Sequence, residues 1–334
     1  MKLLLVTDAW SPQVNGVVNT YKNVIDSLRE LAVDVEVIHP YLESFKRNKL
    51  RIYPEIEYVT NLSEITKVFK KKFNSETYVH IATEGPIGIM VRNYCVRKKI
   101  PFTTGFHTLF PEFLSKRFFI PTWITYPYFR WFHSKSSSIL APTLEIKKHL
   151  LSKKFNSVSV WSRGVDLSLF NESKRTKTAS KYILCVSRVS KEKGLDDFCK
   201  LDHPNKVLIG DGPYLDSLKF KYPNVTFLGK KTGEELARWY ANAECFVFPS
   251  KTDTFGIVLL EAIASGTPVA AYPQPDPKEV ILEGKNGSID ENLQTALQKA
   301  LQCDRYMTYL TSEKWTWKEC AFQFIENLKQ CYQK

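Results

Sequence analysis

Short apolar runs alternate along the chain with longer segments in which apolar residues recur every three or four positions. Lys2 to Asp8 has the length of a buried strand, and after Gly16 the residues Val17, Val18, Tyr21, Val24, Ile25, Leu28 and Leu31 fall at helical spacing. Val33 to Ile38 reads as the next strand, Ser63 to Phe73 as a basic helix capped by Ser63, and Tyr78 to Ala82 as a strand. Pro86 to Lys98 is a helix with proline in its first turn, and Phe102 to His107, Ile139 to Pro142 and Val158 to Ser162 continue the strands. From Ser168 to Lys181 the chain turns polar, as a connector does, and a second alternation follows. Its strands are Tyr182 to Ser187, Lys206 to Ile209, Val225 to Leu228, Cys245 to Pro249 and Pro268 to Tyr272, with helices near Leu215 and over Glu234 to Asn242 and Ile257 to Ala264. Leu293 to Gln302 and Trp317 to Tyr332 read as closing helices. Strands alternating with helices build parallel sheets covered on both faces, so the pattern predicts an α/β protein of two doubly wound domains in tandem.

A chain of 334 residues has material for two such cores. Apolar residues at 43% and charged residues at 25% exclude a disordered chain, and 14 Gly with 17 Pro exclude a collagenous or low-complexity one. No run approaches the roughly 18 apolar residues of a spanning helix, and Asp8 interrupts the apolar start, so neither a transmembrane segment nor a signal peptide is expected. The seven cysteines stand far apart without a C-x-x-C pair, which fits a reducing cytoplasm. The net charge of +12 is uneven: 24 basic and 13 acidic residues stand up to Arg163, and 23 and 22 beyond it. A basic first half suits an anionic partner, a phosphate-rich membrane surface or nucleic acid, or serves solubility alone; no recognisable nucleic-acid-binding motif accompanies the charge, which favours the membrane.

Chemistry is sought where strands end, because open parallel sheets bind ligands at their carboxyl edge. Gly16 allows close backbone approach at a helix N-terminus, or serves a plain turn. In Ser187-Arg188-Val189-Ser190-Lys191-Glu192-Lys193-Gly194, Arg188 offers a bidentate grip and Lys193 a point charge, a pair suited to a diphosphate. The segment from Pro249 to Gly256 leaves a strand and enters a helix holding Glu261, eight residues after Asp253. The amides of Thr254, Phe255 and Gly256 with these two carboxylates make a seat for sugar hydroxyls or an anion, or else a helix cap beside a surface glutamate. His107 closes its strand, as a structural or a reactive imidazole, and Gly210-Asp211-Gly212-Pro213 is a tight turn. No G-x-S-x-G, H-E-x-x-H, Walker A or D-x-D sequence occurs, so hydrolase, zinc-protease, P-loop and metal-dependent readings lack a carrier.

From Phe118 to Phe132 eight of fifteen residues are aromatic, interrupted by Pro121 and Pro127. Lys116, Arg117, Phe118, Phe119, Trp123, Tyr126, Arg130 and Trp131 form a basic, aromatic set suited to a bilayer interface, with a core of stacked rings as the other reading. Lys70-Lys71-Lys72 and Arg97-Lys98-Lys99 add to the same face of the argument, and the two prolines forbid one long helix.

Together these segments resemble the family 4 retaining glycosyltransferases of GT-B architecture. The resemblance rests on Thr7-Asp8 through Asn15-Gly16-Val17, Gly105-Phe106-His107-Thr108, Arg163-Gly164-Val165-Asp166 with Phe170, and Ser187-Arg188 through Glu192-Lys193-Gly194. Gly210-Asp211-Gly212-Pro213, Phe248-Pro249-Ser250 through Phe255-Gly256, Glu261-Ala262 and Gly266-Thr267-Pro268-Val269 complete it, in family order. It implies two Rossmann-like domains facing across a cleft: residues 1–165 on the acceptor side, 166–305 binding the nucleotide sugar, and closing helices over 306–334 whose return to the first domain periodicity does not decide. By resemblance Arg188 and Lys193 neutralise the diphosphate, Glu261 holds the ribose, and Asp253 with the amides of Thr254, Phe255 and Gly256 holds the sugar. Gly16 would approach the diphosphate and His107 would sit beside the sugar; His107, Arg188, Lys193 and Asp253 are the catalytic candidates. Asp253 stands where the family more often has Glu, one methylene longer. Neither a metal nor another cofactor is expected.

Lys200 to Val207, Phe227 to Leu236 and Trp315-Thr316-Trp317 most resemble bacterial enzymes that glycosylate lipids, namely diacylglycerol glucosyl- or glucuronosyl-, mannosyl- and sulfoquinovosyltransferases. With the basic, aromatic first half, that resemblance implies a lipid acceptor met by a peripheral protein at the cytoplasmic membrane face; the nucleobase is not read from the residues, and the expected donor is a UDP-sugar, with GDP-mannose next. A soluble acceptor, a 2-epimerase of the same fold, and a binding module without turnover are the alternatives.

Overall fold

Among the described residues the eleven expected strands form and three more join them, at Arg47–Leu50, Tyr53–Val59 and Gly287–Ile289; in order they are β1 (Lys2–Val6), β2 (Asp34–Ile38), β3 (Arg47–Leu50), β4 (Tyr53–Val59), β5 (Thr77–Ile81), β6 (Thr103–Gly105), β7 (Ser138–Ala141), β8 (Val158–Val160), β9 (Ile183–Val186), β10 (Lys206–Ile209), β11 (Val225–Phe227), β12 (Cys245–Phe248), β13 (Val269–Ala271) and β14 (Gly287–Ile289). They belong to a computed structural model that describes residues 1–13, 15–50, 53–176, 181–251 and 255–332. Two six-stranded sheets result, in the orders β2-β1-β5-β6-β7-β8 and β11-β10-β9-β12-β13-β14, and the antiparallel hairpin β3-β4 stands apart. All pairings within the two large sheets are parallel. Burial on both faces explains the unbroken apolar runs: Leu3, Leu4, Leu5 and Val6 are each at most 1% exposed.

The helices are α1 (Gly16–Glu30), α2 (Leu62–Lys72), α3 (Pro86–Lys98), α4 (Phe110–Phe118), α5 (Thr122–His133), α6 (Leu144–Ser152), α7 (Leu195–Cys199), α8 (Leu215–Lys221), α9 (Gly233–Asn242), α10 (Ile257–Ala264), α11 (Pro275–Val280), α12 (Leu293–Ala300), α13 (Arg305–Leu310) and α14 (Trp317–Tyr332). Ser63 does not cap α2; the helix starts one residue earlier, after Asn61, whose side chain accepts from the Lys46 amide at 2.9 Å and donates to the Ser44 carbonyl at 2.8 Å instead of capping.

The chain divides into two compact units, residues 1–162 with 317–334, and residues 163–316. The second unit begins before the expected boundary at 165, because the Val165 amide donates to the Trp315 carbonyl at 2.7 Å and the Arg163 guanidinium lies 5.9 Å from the Phe255 ring centre. It also ends later than 305. Arg305 donates to the carbonyls of Ala241 and Ala243, both at 2.6 Å, and to Thr267 Oγ1 at 2.9 Å, which ties α13 to the second unit. From Trp317 the chain is part of the first unit. There Trp161 Nε1 donates to the Cys320 carbonyl at 3.0 Å, Asn327 to the Val160 carbonyl at 3.2 Å and Tyr332 to the Pro101 carbonyl at 2.7 Å.

Candidate active site

Each sheet has one place where strand order reverses, between β1 and β5 in the first unit and between β9 and β12 in the second. A crevice for ligands opens outside the carboxyl ends of strands at such a switch point.

In the second unit the loops after β9 and β12 are the two that sequence patterns singled out, and the fold brings them into contact. Arg188 is exposed and Lys193, in a single helical turn (Lys191–Lys193), half-buried. Gly194 ends that turn at φ +66°, and a Cβ there would lie 2.5 Å from the Pro249 carbonyl oxygen, so only glycine permits the approach. From the other side Gly210 and Gly212 press on the same loop; their Cβ atoms would fall 1.8 Å from the Ser187 oxygen and 2.4 Å from the Val189 oxygen. The turn at Gly210 therefore buttresses the Arg188 loop, an architectural use of a tight turn.

Beyond β12, Phe255 and Gly256 are buried and α10 follows, carrying Glu261. Tyr240 donates to Glu261 Oε2 at 2.8 Å, and burial pushes the carboxyl up to about 7 despite that bond. Asp253 and Thr254 lie outside the described residues, so the acid expected at the mouth of this helix is not placed.

At the first unit's switch point Asp8 follows β1 and accepts from Thr83 Oγ1 at 2.9 Å and from the amides of Ile87 and Gly88 at 2.7 and 3.2 Å. It thereby caps α3 from a distance, and burial raises its carboxyl to about 6. Asn15 caps α1 through Oδ1, 3.0 Å from the Val18 amide; a Cβ on Gly16, the next residue, would meet no described atom within 4 Å. His107 stands just beyond β6, its Nε2 2.7 Å from the Tyr21 hydroxyl, which lies 2.7 Å from His80 Nε2; His80 Nδ1 lies 2.8 Å from Thr103 Oγ1. On the other face of β6, Thr104 Oγ1 lies 2.8 Å from His133 Nδ1, and His133 Nε2 faces Glu84 Oε1 at 3.3 Å without hydrogen-bond geometry. Tyr21, His80, Thr103 and Glu84 had not been singled out.

The aromatic segment forms α4 and α5, with Pro121 as the N-cap of α5 and Pro127 inside it. Its rings divide between two faces. Phe129 and Phe132 are buried, whereas Phe119 is 88%, Trp123 74% and Trp131 43% exposed. Tyr126 departs from the expected interfacial set: it is buried, donates to Glu112 Oε1 and lies 2.8 Å from His149 Nε2. Arg130 is half-buried, 3.4 Å from the Lys153 carbonyl, and the side chains of Lys116, Arg117 and Phe118 lie outside the described residues. No helix among the described residues is long and apolar enough to cross a membrane.

Two parallel-sheet Rossmann-like units with candidate residues at both switch points define a GT-B glycosyltransferase fold. The chain matches "Glycosyltransferase Family 4" over residues 14–169 and "Glycosyl transferases group 1" over residues 169–303, and it belongs to the family 4 glycosyltransferases. It is 25% identical to the GDP-mannose-dependent alpha-mannosyltransferase of Corynebacterium glutamicum, over 98% of this chain and 88% of that one. With the alpha-monoglucosyldiacylglycerol synthase of Streptococcus pneumoniae it shares 25% identity, over 99% and 85%. The crystal structure of Anabaena HepE in complex with UDP-glucose superposes with a TM-score of 0.71 at 15% identity, covering 99% of this chain and 100% of that one. The chain is accordingly a glycosyltransferase that uses a nucleotide sugar.

Proposed function

We propose that this glycosyltransferase moves a hexose from a UDP-sugar, with GDP-mannose as the next candidate, to a hydroxyl of a membrane lipid such as diacylglycerol. It does so with retention of anomeric configuration, as a peripheral protein at the cytoplasmic face of the membrane. Arg188 and Lys193 neutralise the diphosphate, helped by the amides that open α1 at Gly16. Glu261 accepts hydrogen bonds from the ribose hydroxyls; Asp253 and the amides of Thr254, Phe255 and Gly256 hold the sugar, and His107 hydrogen-bonds it. As the anomeric C–O bond to the diphosphate breaks, charge builds on the leaving group, so these cations stabilise the transition state more than the bound donor. The acceptor oxygen attacks on the same face and its proton passes to the departing phosphate. The charge is thus neutralised by protein groups, without a metal.

The observation that carries the lipid acceptor is the exposed stripe of Phe119, Trp123, Ile124 and Trp131 on the strongly basic part of the chain. Rings of this kind gain by entering a headgroup region, and the basic surface is drawn to anionic lipid. The diacylglycerol-glucosylating relative supports the same reading.

The test is nucleoside diphosphate release from UDP-glucose, other UDP-sugars and GDP-mannose, with and without anionic liposomes containing diacylglycerol, using Glu261→Ala as the blank. Release that requires liposomes, with glycolipid formed, is the expected result. Release indifferent to liposomes, in the presence of a soluble acceptor, overturns the lipid assignment. Release with no acceptor at all points to an epimerase, and donor binding without turnover to a binding module.

A further inference from the structure

We infer that Glu84, held from behind by His133 and Thr104, receives the acceptor: one carboxylate oxygen takes a hydrogen bond from the acceptor hydroxyl while the other rests on His133 Nε2. Glu84 is then an acceptor-binding residue, and His133 and Thr104 are positioning residues. The inference rests on the reading above that the chain transfers a sugar to a hydroxyl, with its first unit on the acceptor side.

Asp8 follows β1 and Glu84 follows β5, so the first unit's switch point carries both carboxylates. Asp8 is committed to Thr83 and to the amides of α3. Glu84 accepts no side-chain hydrogen bond among the described residues, and its side chain, 11% exposed, keeps a narrow edge to solvent. Its backbone is fixed from both sides. Thr83 is bonded to Asp8, a Cβ on Gly85 would lie 2.4 Å from Asp8 Cγ, and the Glu84 carbonyl accepts from the Tyr128 hydroxyl of α5. A carboxylate is thus carried, without a bonded donor, at the edge where parallel sheets bind ligands.

Behind it stands His133. Its side chain is wholly buried among the rings of Phe106, Phe132 and Phe155, whose centroids lie 5.8, 5.0 and 5.9 Å away. Nδ1 meets Thr104 Oγ1 at 2.8 Å, whereas Nε2 has no hydrogen-bond partner and faces Glu84 Oε1 at 3.3 Å. Thr104 is fully buried, and this imidazole is the one partner of its hydroxyl among the described residues. Were Nδ1 the donor, the threonine hydrogen would be left unbonded and a bare Nε2 would face a carboxylate oxygen. The first penalty alone favours the opposite order by roughly 10- to 100-fold. Thr104 therefore donates, Nδ1 accepts, and an N–H at Nε2 is aimed at Glu84. Arg92 of α3 donates to the carbonyls of Phe132 at 3.0 Å and Trp131 at 2.7 Å, which ties the end of α5, and with it His133, to the helix that starts just after Glu84. Buried donors are normally bonded, and a small turn of the carboxylate brings Oε1 into line with this one. In that orientation the other oxygen stays at the solvent edge, where an incoming hydroxyl meets a charged acceptor already held in place.

The experiment is steady-state transfer by the full chain to a short-chain diacylglycerol, or to whichever soluble hydroxyl compound proves to be the acceptor, with donor and acceptor varied separately. Glu84→Gln keeps the shape of the side chain and removes its charge, so the acceptor KM should rise about tenfold while the donor KM and the thermal midpoint hold. An unchanged acceptor KM, or equal rises in both KM values, overturns the inference. His133→Phe should raise the acceptor KM several-fold in the wild-type background and hardly at all beside Glu84→Gln, because it acts through that carboxylate; equal effects in the two backgrounds overturn the positioning role. Histidine-selective ¹⁵N NMR of the unaltered chain near pH 8 checks the same point without a mutation at the site, with signals assigned by single replacement of the other five of the six histidines. It should show a proton on His133 Nε2, and a bare Nε2 or an even mixture overturns the proton order. A wild type that releases diphosphate at one rate with or without any acceptor overturns the transferase reading and this role with it, and is seen before any variant is made.

Discussion

The two switch points put one sheet geometry to different uses. Beyond β1 and β5, polar side chains are turned on one another: Asp8 on the start of α3, and Tyr21 between two imidazoles. Beyond β9 and β12 it is backbone that packs against backbone, at Gly194 and Gly210, while the cationic Arg188 stays exposed. A buried polar group must find its partner within the protein, so the first arrangement stiffens the fold and orients what it touches. An exposed cation gives up less solvation to the fold than a buried one, so the second arrangement leans on backbone contacts more than on side-chain polar pairs. Mutations at Asp8 and at Arg188 should accordingly separate: Asp8 chiefly on stability and Arg188 chiefly on turnover.

Arg188→Ala is the largest expected effect. With Arg188 on the leaving diphosphate, as proposed, its removal should lower kcat on the order of 10²-fold or more, while the thermal midpoint moves little for an exposed side chain. Steady-state diphosphate release beside differential scanning calorimetry checks both halves. A falling midpoint would show that Arg188 serves the fold, and the contrast between the units would collapse.

Gly194→Ala comes next. Its φ of +66° and the Pro249 oxygen 2.5 Å from the added Cβ force the two loops apart, at about 1–2 kcal/mol from the backbone conformation alone. Separation of the Arg188 loop from the loop leading to α10 should raise the donor KM about tenfold. Donor titration by calorimetry would reveal a KM effect without a binding effect, which would assign the loop contact to catalysis alone.

These two variants probe what local sequence made legible. Strands buried on both faces leave apolar runs, and a cation-rich loop between a strand and a helix is contiguous, so eleven of the twelve strands of the two large sheets and the Arg188 segment could be read directly; β14, the three residues Gly287–Ile289, leaves no such run. The cluster around His107 could not, since Tyr21, His80, Trp161 and Phe324 come from four segments far in sequence from the one that carries Thr103 and His107. The aromatic segment was visible as composition but not as two faces. The two prolines argued against one long helix, and the segment is split into α4 and α5 at Pro121, with Pro127 carried inside α5; only that helix divides buried Tyr126, Phe129 and Phe132 from exposed Trp123 and Trp131. Arg305 likewise looks like any surface cation until three carbonyl and hydroxyl partners tie α13 to the second unit.

Asp8→Ala tests the other side of the comparison. The carboxylate receives two amides at the head of α3 and the Thr83 hydroxyl, and their loss should cost about 1–2 kcal/mol, as removal of a helix cap does. Urea denaturation should show the first unit's transition shifted with that of the second unchanged. An unaltered transition would mean that water satisfies the α3 amides equally well, and that the first switch point is less closed than its hydrogen bonds indicate.

The smallest effect, the pH dependence of stability, sharpens the contrast further because, among the described residues, each unit carries one raised carboxyl. Burial lifts Glu261 from its ordinary 4.5 to about 7 and Asp8 from 3.8 to about 6. Between those limits the unfolded chain has already released a proton that the folded chain still holds. The unfolded state therefore binds fewer protons, and stability falls as pH rises, over about pH 4.5 to 7 for Glu261 and about pH 4 to 6 for Asp8. Glu261→Gln removes the first contribution, so its thermal midpoint should gain on the wild type by about 2 °C between pH 5 and pH 8, and Asp8→Asn should make its relative gain at lower pH. Nucleotide-sugar donor in the buffer should bring Glu261 to its ionised form by offering ribose hydroxyls to the carboxylate, shrinking the wild-type slope; Asp8, committed to α3, should not respond. Parallel midpoint curves for Glu261→Gln and wild type would mean that the glutamate is already ionised in the empty protein, held by Tyr240 and water, and that the second unit waits for its donor fully charged.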